Sequence, residues 1–144
     1  MEIPVNFFAI LIAAITNMAI GFAWYSPALF GRSWMKIMGH TPEKLKKLQE
    51  KMGPLYALSF IGALLMAYIL SHVIQFSASF FQGEYDIVST GLMSAFWMWL
   101  GFVAPVQMTD VIFGNRPWKL FYINTGYQFI SMLAMGLILS IMGV

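Results

Sequence analysis

The stretch from Pro54 to Phe76, PLYALSFIGALLMAYILSHVIQF, decides the fold because it runs for 23 residues without an Asp, Glu, Lys or Arg. A helix crosses the roughly 30 Å of bilayer hydrocarbon with about 20 apolar residues. Three further apolar stretches meet that requirement, at residues 4–25, 88–106 and 118–141. Together they predict an all-α membrane protein in which residues 1–144 form a single domain of four transmembrane helices.

The composition agrees with this class, since 60% of the 144 residues are hydrophobic and only 10% are charged. A soluble domain of this size cannot hide so large an apolar fraction in its core. The amino end, Met1 to Pro4, carries no positive residue, so the first apolar stretch is expected to be a retained anchor and not a signal peptide. The absence of cysteine excludes disulfides and thiolate chemistry.

Positive charge is confined to the segments that follow the first and third apolar stretches. These eight residues are Arg32, Lys36, Lys44, Lys46, Lys47, Lys51, Arg116 and Lys119. Short loops rich in Lys and Arg stay in the cytoplasm, which predicts a multi-pass membrane protein with both termini on the outer side. The same side chains are expected to bind anionic lipid headgroups. Because topology and lipid account for the net charge of +2, no nucleic-acid partner is expected.

The first basic loop has helix-start signals of its own, Ser26 before Pro27 and Thr41 before Pro42. They predict one or two short interfacial helices. In the second of these, apolar residues recur at helical spacing between lysines, which is typical of a helix lying on the membrane surface. A helix that binds a protein partner has the same pattern, so both interpretations stay open.

Polar side chains within the spans mark a candidate site, because polar groups in hydrocarbon are costly. At 1.5 Å per residue, Asn17 and Asn124 are each expected about 10 Å from Trp24 and Trp118, the cytoplasmic ends of their spans, and so at a common level. The residues predicted to line a ligand pocket or pore are Asn17, Gly21, Asn124, Tyr127, Gln128 and Asp110. Interhelical packing explains Asn and small residues at spacing four equally well.

Asp110 is the one carboxylate near membrane depth at the basic side, and an ion pair with Arg116 or Lys119 is expected for it. A proton or cation role is the alternative. His72 has no second ligand three or four residues away, so neither a metal site nor a cofactor is expected. No carboxylate pair at helical spacing, glycine-rich phosphate loop or serine elbow occurs, and we do not expect an enzyme.

Four motifs point to a family: WYSP at residues 24–27, FGRSW at 30–34, GF at 101–102 and RPWKLFYINTGY at 116–127. They resemble those of a family of small bacterial four-helix integral membrane proteins of unknown function. The resemblance covers almost the whole chain and implies four spans, one domain, a location in the bacterial inner membrane and no established activity. The histidine that it implies after the last motif is Gln128 here, so a proton-handling role built on that histidine does not carry over.

Two hypotheses about function follow. The first is a homo-oligomer that binds or passes a small solute or ion through a polar pocket open towards the cytoplasm, since four helices enclose little space and symmetric copies enlarge it. The second is a structural or accessory subunit of a larger membrane complex, or a lipid-binding scaffold. The aromatic content of 17% and the twelve methionines suit such adaptable surfaces.

Overall fold

The computed structural model describes residues 4–143, and residues 1–3 and 144 of the predicted domain lie outside that range. Four helices are long and apolar enough to cross a membrane, which confirms the predicted all-α transmembrane class. The helices in chain order are α1 (Phe7–Trp24), α2 (Gly31–Met38), α3 (Pro42–Gln49), α4 (Met52–Phe81), α5 (Ile87–Met98), α6 (Ala104–Phe113) and α7 (Trp118–Met142). A π-helical segment, Trp99–Val103, joins α5 to α6. The two short helices α2 and α3 are also confirmed.

Helix boundaries depend on capping residues, so the helices do not match the predicted apolar spans residue for residue. Asp86 accepts a hydrogen bond from the backbone of Ser89, so the third spanning helix begins at Ile87. Helix α4 continues past Phe76 until Gln82, whose left-handed φ of 47° ends it. Apolar counting finds the part of a helix within hydrocarbon, whereas the helix itself continues to its caps.

The two predicted starts of surface helices have different outcomes. Thr41 caps α3 by accepting a hydrogen bond from the backbone of Lys44, as predicted. Ser26 does not begin a helix, because its hydroxyl donates instead to the carbonyl of Ala23 at 2.7 Å and so closes the end of α1. The first surface helix, α2, therefore starts only at Gly31.

The spanning helices form a ring in chain order, in which α1 packs against α4 and α7, and α5 packs against the same two helices. The amide of Asn6 donates to the carbonyl of Met142 at 2.6 Å, so the two described ends of the chain meet at one end of the bundle. We call this the terminal end, and the opposite end, where α2, α3 and the start of α7 lie, the basic end. The apolar core comprises Ala9, Ile10, Ala13, Ala67, Leu70, Ile74, Ala95, Met132, Met135 and Leu139.

Helices α5 and α7 approach each other closely through two glycines. A Cβ atom on Gly136 would lie 2.7 Å from the carbonyl oxygen of Gly91 and 2.9 Å from the Cβ atom of Ala95. Small residues at such a crossing allow backbone contact, which drives helix association where lipid removes the hydrophobic force. Helix α7 also packs against α1, α4 and α6, so it is the central helix of the bundle.

Candidate functional site

A tight corner between α1 and α2 shapes the basic end. The backbone N–H of Phe30 donates to the carbonyl of Trp24 at 3.0 Å, and that of Gly31 donates to the carbonyl of Ser26 at 2.9 Å. A Cβ atom on Gly31 would collide with the carbonyl oxygens of Tyr25 and Ser26. Only glycine therefore fits the corner, which returns the chain so that α2 contacts α7.

Aromatic side chains hold this corner against α7. The indole N–H of Trp24 donates to the carbonyl of Ile123 at 2.9 Å. The ring of Tyr25 lies edge-on between those of Trp34, at 5.8 Å, and Tyr127, at 5.4 Å between centroids. The short chain segment after α1 and these aromatic contacts hold α2 against the bundle, so the side chains of α2 have a defined position beside α7.

A basic groove opens where α2 meets the start of α7. It is a cavity of about 510 Å³, and the side chains that line it are Arg32, Ser33, Lys36, Ile37 and Lys119. Arg32 and Lys36 are four residues apart, so they project from the same face of α2. Among the described residues, none that lines the groove is acidic, and all three cations are exposed. The arrangement favours a phosphate-bearing anion, which Arg and Lys recognise through charge-assisted hydrogen bonds.

Three of the eight basic residues that were expected to bind headgroups line the groove, namely Arg32, Lys36 and Lys119. The other five lie outside its lining: Lys44, Lys46 and Lys47 on α3, Lys51 before α4, and Arg116 before α7. Arg116 places its guanidinium 4.0 Å from the sulfur of Met38. Ser33 and Ile37 were not predicted, because nothing in the sequence shows that their face of α2 meets α7.

The predicted polar residues of α1 and α7 form a seam in which they bond to one another. The hydroxyl of Tyr127 donates to Oδ1 of Asn17 at 2.9 Å, and Asn17 is only 5% exposed. The hydroxyl of Tyr25 donates to Oδ1 of Asn124 at 2.7 Å. Gly21 belongs to the same seam, since a Cβ atom there would lie 3.1 Å from the hydroxyl oxygen of Tyr127. The structure brings these four predicted residues together, but they form contacts between helices and were predicted to line a pocket or pore.

The expectation that Asn17 and Asn124 share a level is wrong. The indole of Trp24 bonds to the carbonyl of Ile123, so Trp24 lies level with a residue five positions along α7 from Trp118. At 1.5 Å per residue this is an offset of about 7.5 Å, whereas the prediction took both tryptophans as markers of one interface. Asn124 consequently lies beside Tyr25, and Asn17 lies deeper, with its amide 3.5 Å from the sulfur of Met135.

Two buried polar atoms beside the seam lack hydrogen-bond partners among the described residues, Oε1 of Gln128 and Oγ of Ser131. Ser131 is fully buried and lies on α7 between Tyr127 and Met135, the two residues that Asn17 contacts. Asp110 is not part of this group. It is exposed on α6, and residues 4–143 contain no ion pair between it and Arg116 or Lys119, contrary to expectation.

A second polar contact, between α7 and the irregular third span, was missed by the sequence analysis. The hydroxyl of Thr125 donates to Oε1 of Gln107 at 2.6 Å, and the indole of Trp99 donates to the carbonyl of Thr125 at 3.0 Å. Trp99 begins the π-helical segment before Pro105. Proline has no N–H to continue the helical ladder, and this was the one available signal for the irregularity.

A smaller cleft of about 170 Å³ lies between α4 and α5 towards the terminal end, and its lining includes Ser77, Phe81, Thr90, Ser94 and Trp97. Its lining is mostly apolar. Within residues 4–143 no group of three or more His, Asp or Glu side chains is placed to hold a metal ion.

Comparison with known proteins yields one finding. The model of a family described as "Protein of unknown function (DUF1761)" matches residues 8–140. No curated protein and no solved structure is significantly similar to the chain. The match confirms the resemblance inferred from the sequence, and it adds no activity.

Proposed function

We propose that this chain, which belongs to the DUF1761 family of proteins of unknown function, is a lipid-binding accessory protein of the membrane. Its basic groove binds the anionic headgroup of a membrane lipid. One observation carries this function: Arg32, Lys36 and Lys119 converge on one cavity from two helices with no acidic residue among the lining. Basic pockets between helices at the cytoplasmic face are typical headgroup sites.

The position of the groove supports a lipid in preference to a soluble anion. Lys119 is in the first turn of a spanning helix, and Trp118 beside it is 50% exposed, as suits a ring at the headgroup level. We place the basic end on the cytoplasmic side of a bacterial inner membrane, since all the described Lys and Arg side chains lie in the segments at that end. Both termini are then on the outer side.

The test compares two variants that each lose three positive charges. One replaces Arg32, Lys36 and Lys119 with glutamine, and the matched control replaces the α3 residues Lys44, Lys46 and Lys47. Binding of phosphatidylglycerol and of phosphatidylcholine with the same acyl chains is measured by native mass spectrometry of the detergent-purified protein. At about 1 kcal/mol per basic side chain, the groove variant should bind phosphatidylglycerol roughly a hundredfold more weakly.

The α3 variant should bind phosphatidylglycerol within about threefold of the unaltered protein, because its lysines lie outside the groove. Equal weakening in both variants would mean that general surface charge, and not the groove, attracts the lipid. No weakening in either would remove the headgroup function altogether.

We infer binding without catalysis, since the groove holds cations and a single hydroxyl and no base to activate it. The accessory role is supported by the many large hydrophobic side chains exposed on the spanning helices, which can contact lipid or a larger membrane complex. Copurification of a stoichiometric partner in mild detergent would support a complex, and consistent isolation of the chain by itself would count against one.

A small-solute or ion site in the seam is a second candidate, favoured by the unpartnered atoms of Gln128 and Ser131. Because the other seam residues bond to each other, a pathway there requires several copies of the chain. Native mass spectrometry counts the copies, and a Ser131→Ala variant tests the site. If a polar guest is bound, the variant should be less stable; if the site is dry, removing an unpaired hydroxyl should leave it equally or more stable.

A further inference from the structure

The charge of the groove exceeds what a simple phospholipid supplies. Three cations line it, Arg32, Lys36 and Lys119, and none of the lining residues is acidic. A lipid with one phosphodiester brings a single negative charge. A groove with three cations attracts a more highly charged ligand more strongly, because the field of all three charges acts on it.

The cations are also divided between two sides of the cavity. Arg32 and Lys36 stand one turn apart on α2, where the guanidinium can grip a phosphate with two parallel hydrogen bonds. Lys119 approaches from the first turn of α7, a turn that no side chain caps, so the positive end of the helix dipole adds to its charge. At about 510 Å³ the cavity has the size of a small-molecule site and has room for more than one phosphate group.

We propose, building on the lipid-binding function above, that the groove selects a membrane lipid whose headgroup carries two phosphate groups. Arg32 and Lys36 hold one phosphate and Lys119 holds the other, while the hydroxyl of Ser33 donates a further hydrogen bond at the rim. The ligand class is a lipid diphosphate or bisphosphate, with its acyl chains along the apolar surface of the bundle.

Two lipids that differ only by one phosphate test this selection: dioleoyl phosphatidic acid and dioleoyl diacylglycerol diphosphate. Dissociation constants for both are measured on the purified full chain by native mass spectrometry, with dioleoyl phosphatidylcholine as the neutral reference. The diphosphate should bind about fivefold or more tightly than the monophosphate. Lys119→Gln should bring that ratio close to one, because it removes the cation that meets the second phosphate, and Lys44→Gln should leave the ratio unchanged.

Each other outcome identifies what has failed. Phosphatidic acid that binds no better than phosphatidylcholine would overturn the headgroup function itself. Preference for phosphatidic acid over phosphatidylcholine with a diphosphate ratio near one, or a ratio that survives Lys119→Gln, would overturn only the two-phosphate selection. Displacement of the lipid by submillimolar inorganic diphosphate would show that the site takes a free anion, which contradicts a lipid as its ligand.

Discussion

Replacing Gly31 with alanine is expected to open the corner between α1 and α2 and to weaken lipid binding at a groove that the residue does not touch. The added methyl group would collide with the carbonyl oxygens of Tyr25 and Ser26, which are backbone atoms and cannot rotate away. The start of α2 must therefore move. Arg32 is the next residue in the chain, so it moves with the helix relative to Lys119.

Two opposing effects determine how much Gly31→Ala changes the free energy of unfolding. Overpacking a buried site costs about 1–3 kcal/mol. Exchanging glycine for alanine within a helix returns about 0.5–1 kcal/mol through backbone entropy. Because Gly31 is the first residue of α2, most of that gain is absent, and a net loss of about 1–2 kcal/mol in the free energy of unfolding is expected. Phosphatidylglycerol affinity should fall with it, because the three cations no longer converge.

Gly53→Ala provides the matched control. This glycine is the second residue of α4, and a Cβ atom there would have no heavy atom within 4 Å. Unfolding by sodium dodecyl sulfate in mixed micelles and phosphatidylglycerol binding are measured for both variants. Gly53→Ala should be neutral or slightly stabilising. If Gly31→Ala matches it in both stability and lipid affinity, the corner does not position the groove and the reasoning is refuted.

Three further results are expected. Tyr127→Phe leaves Oδ1 of Asn17 without its 2.9 Å hydrogen bond, so the free energy of unfolding in mixed micelles should fall by about 0.6–2 kcal/mol. Most of this loss should vanish when Tyr127→Phe is made in an Asn17→Leu background, which already lacks the hydrogen bond. Gly136→Ala places a methyl group 2.7 Å from a carbonyl oxygen of α5 and should cost about 1–3 kcal/mol, whereas Gly62→Ala, with open space around it, should cost nothing. Hydrogen bonds from the side chain and backbone of Ser89 lower the pKa of Asp86, so the stability that they contribute is complete above about pH 4 and is lost as the pH falls through the lowered pKa. Hydrogen exchange at the first turn of α5 should report the loss, and an Asp86→Ala variant should lack this pH dependence.

Hydropathy was sufficient to predict the spanning helices, because a helix in lipid must satisfy all its backbone groups and needs a length set by the bilayer. It was not sufficient for their ends. Phe76 ends the apolar stretch, yet α4 continues to Phe81 because nothing terminates it before the left-handed residue Gln82. Helix ends depend on single capping contacts, which average hydropathy does not record.

The seam residues were also found from the sequence, since Asn17, Gly21 and Tyr127 stand out among apolar neighbours. Their partners were not predictable, because the stagger of two antiparallel helices depends on side-chain contacts that lie far apart in the chain. Trp24 bonds across 99 positions to Ile123, and that single contact sets the offset. The interpretation as packing contacts, left open by the sequence, now agrees with the bonding of Asn17 and Asn124.

The groove is a second feature whose residues could be predicted from the sequence but whose geometry could not. All three of its cations were among the residues expected to bind headgroups, but no sequence pattern separates them from the other five basic residues. Their convergence depends on the corner at Gly31, whose tightness comes from backbone contacts with Tyr25 and Ser26. Two of the family-like motifs, WYSP and FGRSW, meet at that corner, and the last motif supplies Lys119. The motifs thus build one site from both ends of the chain.

The most direct test of headgroup binding is an experimental high-resolution structure of the protein in a bilayer disc that contains phosphatidylglycerol. The account predicts phosphate density in the groove, within hydrogen-bond distance of at least one of Arg32, Lys36 and Lys119. Ordered lipid phosphates elsewhere on the basic end, with the groove empty or closed by a side chain, would contradict it.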